Sequence, residues 1–285
     1  MGFMDRFRSS WELGKASWQM LRGNPQFLLF PMVSTVAAVI VAAILGFGGF
    51  LAIPDFTDRI EASNEQSWPV YVLLVIITLV GTMITIYFNT ALSAALMQEM
   101  DGQEATFKSG LAVAGQRKGI ILQWAVISTT VGLVLSALRE RGGIAGSIAS
   151  MIGGMAWGLA TFFVIPILAA RNVGPVDAIK ESASLLKRTW GEQVIGGAGI
   201  GLFSFVITLP LIIVAVVLAA VGIGSGSLAV AIPAIAVALA LGLVAIAVGT
   251  SLSSIFHTVV YRWATERDVA PGYESGMLES AFAPK

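Results

Sequence analysis

Residues 193–261 read QVIGGAGIGLFSFVITLPLIIVAVVLAAVGIGSGSLAVAIPAIAVALALGLVAIAVGTSLSSIFHTVVY, with no Asp, Glu, Lys or Arg among them. A charge at the centre of a bilayer costs about 2.5–3.5 kcal/mol on insertion scales, so a stretch this long and this clean reads as two membrane spans. The Gly224-Ser225-Gly226-Ser227 run supplies the turn between them. Working outward, further charge-free windows cover 23–54, 66–98, 119–138 and 142–170. At about 1.5 Å per residue a hydrocarbon core of about 30 Å needs roughly 20 residues, and each window reaches that length. Six spans follow. The expected fold is all-α: a polytopic membrane helix bundle with six transmembrane helices.

Composition agrees, with 56% hydrophobic and 12% charged residues and a mean hydropathy of +0.84. Orientation follows from Lys and Arg, which are retained on the cytoplasmic side. With the N-terminus inside, 14 of the 17 fall in the cytoplasm and only Arg59, Arg139 and Arg141 outside. The first outer loop carries Asp55, Asp58, Glu61 and Glu65 instead. The expected location is a cytoplasmic (inner) membrane, multi-pass, with both termini cytoplasmic. The chain divides into a cytoplasmic amphipathic helix at 1–26, a membrane domain at 27–261 and a cytoplasmic tail at 262–285. The first apolar run is too long, and starts too late, for a signal peptide. Arg6 stands where N-myristoylation requires Ser or Thr.

Each cytoplasmic segment that leads into an outward span has helical periodicity. In the first, Phe3, Phe7, Trp11, Gly14, Trp18 and Leu21 fall within about 80° on a 3.6-residue wheel, with Asp5, Arg8, Glu12, Lys15 and Gln19 opposite. The second offers Phe107, Leu111 and Ala114, and the third Ile179, Ala183, Leu186 and Trp190. Three amphipathic interfacial helices are expected. Trp11, Lys15, Trp18, Arg22, Arg171, Lys187 and Trp190 are the candidates for lipid headgroup contact. Aligning Phe7, Phe107 and Ile179 parses the chain as three units of interfacial helix, outward span and returning span, a threefold internal repeat. Helical period alone creates part of that likeness, so repetition and coincidence both stand at this point. Glycines four apart, at 142/146, 154/158 and 197/201, offer close helix contacts. Met277, Leu278 and Phe282 in the tail are either the material for a turn or two of docked helix or part of a frayed terminus, and both readings stand.

Two spans carry polar stripes. Thr78, Thr82, Thr85, Asn89 and Ser93 share a face of span two, and Thr250, Ser254, His257 and Tyr261 share a face of span six with Thr258 beside them. Polar groups in hydrocarbon require partners, so both stripes should face protein or water, and each other. Such faces form either a polar cavity or a set of interhelical hydrogen bonds worth about 0.6 kcal/mol each. His257 is the single histidine, and no span holds a carboxylate to relay a proton with it.

The inventory for catalysis is thin. There is no cysteine and one histidine, and no phosphate-cradling, zinc-protease or nucleophile-elbow motif occurs. Glu99, Asp101 and Glu104 cluster near a span end without a metal-loop spacing, which favours a solvated turn. The expectations are no enzyme, no cofactor, no metal site and, from a net charge of zero, no nucleic-acid partner. Expected partners are membrane lipids and, from the small-residue faces, further copies of the chain. Two functions remain in view: passage of a small solute, ion or lipid along the polar faces of spans two and six, and a membrane-organising or oligomeric scaffold without conduction.

The blocks Tyr87-Phe88-Asn89-Thr90-Ala91-Leu92, Phe163-Val164-Ile165-Pro166 and Leu185-Leu186-Lys187-Arg188-Thr189-Trp190-Gly191-Glu192 occur in order along the chain. In them the chain resembles an uncharacterised domain-of-unknown-function family of six-span prokaryotic integral membrane proteins. The resemblance covers nearly the whole chain. It implies location and span count, and no functional residue comes with it.

Overall fold

The computed structural model describes residues 3–62, 67–190, 197–267 and Tyr273, and no strand occurs among them. The helices are α1 (Phe3–Gly23), α2 (Leu29–Ala52, entered through a 3₁₀ turn at Pro25–Leu28), α3 (Phe56–Ala62), α4 (Trp68–Met100), α5 (Phe107–Gln116), α6 (Lys118–Arg141), α7 (Gly143–Ala160), α8 (Val164–Ala170), α9 (Pro175–Trp190), α10 (Gly197–Gly224) and α11 (Leu228–Glu266). Six stretches are long and apolar enough to cross a membrane: Pro25–Ala52, Trp68–Met100, Lys118–Arg141, Gly143–Ala170, Phe203–Gly224 and Leu228–Glu266. These are spans one to six, and they coincide with the charge-free windows.

The spans pair as three antiparallel hairpins, α2 with α4, α6 with α7, and α10 with α11. The three returning helices, α4, α8 and α11, also touch one another pairwise and form the inner layer. At the end of the bundle where the basic residues collect, this layer is closely packed around Leu92, Leu96, Phe163, Ile167, Ile255 and Phe256, each at most 2% exposed. The opposite half shows Ile44, Phe47, Ile144, Met155, Val216 and Leu239 on its surface. Such a surface is stable only against hydrocarbon.

The three amphipathic helices complete the three-unit order, and each docks on a hairpin. α5 follows the first hairpin and packs against its returning helix α4, while α9 follows the second and packs against α7 and α8. α1, which has no preceding hairpin, packs on α10 and α11 and so closes the set. A Cβ built at Gly110 of α5 would lie 2.4 Å from the Ala91 carbonyl oxygen. Glycine is what admits that approach. Thr106 and Ser109 form a reciprocal capping box that starts α5, and the Ser109 hydroxyl also donates to Gln98 Oε1 at 2.6 Å.

Docking buries the expected face of α5 at Ala114, with Phe107 and Leu111 packed on the core, and shifts the buried side in α1 and α9 while keeping Gly14, Leu21 and Leu186 in it. In α1 the buried side is Leu13, Gly14, Ala16, Ser17 and Leu21, and Trp11 and Trp18 are only partly covered. In α9 it is Ala178, Ser182, Leu185 and Leu186, with Ile179 and Ala183 half-buried. The buried sides combine large apolar residues with small ones, Leu13 and Leu21 beside Ala16 and Ser17 in α1, and Leu185 and Leu186 beside Ala178 and Ser182 in α9. The side chains of Phe3 and Phe7, and the tail residues Met277, Leu278 and Phe282, lie outside the described residues.

The glycine spacings have a different use. A Cβ at Gly146 would strike the Leu138 carbonyl oxygen at 2.2 Å, and one at Gly142 would strike the backbone of Gly146. This pair therefore shapes the tight turn between spans three and four rather than a groove for another helix. Gly158 has open space around its Cβ position, and the side-chain surroundings of Gly197 and Gly201 lie outside the described residues.

Candidate functional site

Span four is not one helix. Pro166 has no N–H to give the Phe162 carbonyl, and its ring crowds that oxygen, so the helix opens over residues 161–163 and restarts as α8. Proline does not always open a helix here, since Pro210 sits inside α10. At the break, the Phe163 N–H donates to the Ser182 hydroxyl at 2.9 Å, and that serine is wholly buried on α9. The far end of α8 is closed by Arg117, whose guanidinium donates to the carbonyls of Leu168, Arg171 (3.1 Å) and Ala170 (3.4 Å). A cation on the last carbonyls of a helix also meets the negative end of its dipole. Partial burial holds the Arg117 pKa below its ordinary value.

Beside the break lies a half-open cleft of about 370 Å³, walled by the three returning helices. α4 contributes Asn89 and Ser93, and α8 contributes Ile165 and Pro166. α11 contributes Gly249, Thr250, Ser253, Ser254, His257 and Thr258. The stripes of spans two and six meet at its base, where Ser93 Oγ and Thr258 Oγ1 share a hydrogen bond of 2.8 Å. The Phe162 ring stands edge-on to His257, with centroids 4.3 Å apart. Asn89 lies about 16 Å before the end of α4 and His257 about 14 Å before the end of α11, so both sit toward the basic ends of their helices. Among the described residues, no Asp, Glu, Lys or Arg lines the cleft.

Of the nine stripe residues, Asn89, Ser93, Thr250, Ser254 and His257 line this space. Thr78, Thr82 and Thr85 do not. Thr78 and Thr85 are exposed and donate to the carbonyls of Leu74 and Gly81 in their own helix, the inexpensive way to satisfy a hydroxyl in lipid. Tyr261 is 3% exposed, one turn below the cleft, packed beside Phe163. The fourth-span wall carries no polar signal because Ile165 and Pro166 are apolar, and Ser253 lies one position off the face shared by Thr250 and Ser254.

The headgroup candidates divide as well. Lys15, Arg22 and Lys187 are exposed at the basic end, while Trp11 packs edge-on against Phe203 at 4.8 Å. Arg171 pairs with Glu181 at 2.9 Å, and its side chain remains 60% exposed. The side chain of Trp190 lies outside the described residues. The acidic cluster is tied up structurally: Glu99 accepts from Asn24 at 3.0 Å, and Asp101 pairs with Arg262 at 2.6 Å. Among the described residues, no three acids or histidines stand close enough to hold a metal ion.

No curated protein and no solved structure matches the chain. One family model does, over residues 69–270, which takes in spans two to six and leaves out α1 and span one. With well over half its length matched, the chain belongs to DUF6159, a family of unknown function.

Proposed function

We propose that this is a non-enzymatic membrane protein that passes a small molecule along the cleft between its returning spans. What supports this is a polar space at membrane depth, bounded by broken and unbroken helices whose hydroxyl, amide and imidazole groups face one another. Intramembrane polar groups are costly, and broken helices at that depth are tolerated where they line a cavity. The cleft's 370 Å³ falls in the range of small-molecule sites, about 300–1,000 Å³. The proposed setting is a prokaryotic cytoplasmic membrane with both chain ends inside. Lipids contact the basic end through Lys15, Arg22 and Lys187.

Reconstituted protein should raise the permeability of liposomes to a small solute or labelled lipid. Asn89→Leu or His257→Leu should cut that flux by about tenfold, the factor that follows from losing one polar contact worth about 1.4 kcal/mol. Flux equal to that of empty liposomes across ions, neutral solutes and labelled lipids would overturn passage and favour a scaffold.

A further inference from the structure

The base and the mouth of the cleft differ in chemistry. At the base stand Asn89, Ser93, Ser254, His257 and Thr258, a set of neutral donors and acceptors without a full charge. Toward the basic end, Arg262 of α11 pairs with Asp101 and Glu266, and Arg171, just past α8, pairs with Glu181 of α9. Outward along the same face, α11 continues as Ile246, Leu243 and Leu239, and Ile246 and Leu239 are 52% and 70% exposed. α4 continues as Thr85, Thr82 and Thr78, where the donors of Thr85 and Thr78 are spent on their own backbone. A molecule seated there meets hydrogen-bonding groups at one end and a hydrocarbon-compatible surface at the other.

We infer that the ligand is an uncharged amphiphile whose head carries hydroxyl, ester or amide groups and whose chain lies along the outward halves of α4 and α11. A charged head set down here would find no counter-charge among the described lining residues. Burying unpaired donors against an apolar head would be equally poor, so both ends of the ligand are specified. This inference rests on the proposed reading of the cleft as a ligand path and names the class of ligand. Hydroxyl-bearing heads occur on glycerolipids and as free polyols, and the test separates these two sources.

The probe is a monoacylglycerol with a diazirine in its acyl chain, photolysed on the full chain in nanodiscs, with labelled peptides located by mass spectrometry. Label should map to α4 and α11 outward of Asn89 and Gly249. Unlabelled monoacylglycerol should compete, whereas an alkyl trimethylammonium and a fatty-acid anion of equal length should not. Asn89→Leu and Ser254→Leu should weaken the labelling about tenfold. Equal competition by the charged amphiphiles, or label spread evenly over all six spans, would overturn the inference. Competition by glycerol alone would assign a chainless polyol and overturn the amphiphile. Should the variants not fold, the competition series on the unaltered protein still decides. Solute flux without site-directed labelling would sink this inference and leave passage standing, and labelling without flux would do the reverse.

Discussion

Replacing Gly110 by leucine is expected to lift α5 off span two and to cost the bundle about 1–3 kcal/mol or more, the range for overpacking a close contact. The reason is geometric. The Cβ alone would sit 2.4 Å from the Ala91 carbonyl oxygen and 3.0 Å from the Phe30 ring. A backbone oxygen of a central span cannot move aside as the tip of a flexible side chain can, and Phe30 is itself 1% exposed and packed 4.7 Å from Phe107. The strain should reach the capping box and the Ser109–Gln98 bond, which tie the start of α5 to the end of α4. Denaturant titration in mixed micelles should show the loss. Gly119→Ala is the control, because its Cβ position is empty and alanine favours helix. Equal stability of Gly110→Leu and the unaltered chain would mean that α5 does not rest on span two.

The second large effect is expected at Arg117. Its guanidinium holds three backbone carbonyls at the end of α8, a seven-residue helix too short to persist without tertiary support. Arg117→Met keeps much of the stem and removes the donors. Because the side chain is partly solvated, the cost should lie near the bottom of the range of about 1.5–3 kcal/mol for hydrogen bonds to charged groups. Arg117→Lys should restore little of it, since one ammonium cannot reproduce a planar fork. Hydrogen exchange should show faster opening of residues 164–171 in both variants. Unchanged exchange there would remove Arg117 from the account of span four.

Span count, hairpin order and the presence of three amphipathic helices were all legible in the sequence, because membrane insertion imposes its rule on every residue of a window. The protein-facing side of α5 was legible too, since Phe107, Leu111 and Ala114 pack on the core, whereas in α1 and α9 the buried side is only partly the one the periodicity marks. Hydrophobic periodicity reports the boundary between apolar and polar surroundings, and at a membrane interface protein and lipid both count as apolar. Hence Ile179 and Ala183 were expected at the centre of a face that Ala178 and Ser182 occupy. The polar stripe on span two was half informative for a related reason. A threonine hydroxyl can be satisfied by its own helix, as Thr78 and Thr85 are, and such residues then stand away from the cleft that Asn89 and Ser93 line. The break in span four follows from Pro166, but Pro210 shows that proline alone does not decide it. Ser182, 19 positions away, supplies the acceptor for the N–H that the break leaves over. No local pattern announces that pairing.

The chain has no cysteine, so an introduced pair reports without background. Ser93→Cys combined with Thr258→Cys replaces two hydroxyls that are 2.8 Å apart. Iodine oxidation in native membranes, read by mass spectrometry of the linked peptides, should join spans two and six through this pair and leave a Thr78→Cys/Thr258→Cys pair open. If the Ser93/Thr258 thiols remain separate under oxidation while a permeant maleimide labels both, the polar faces of these spans do not meet, and the cleft they enclose does not exist.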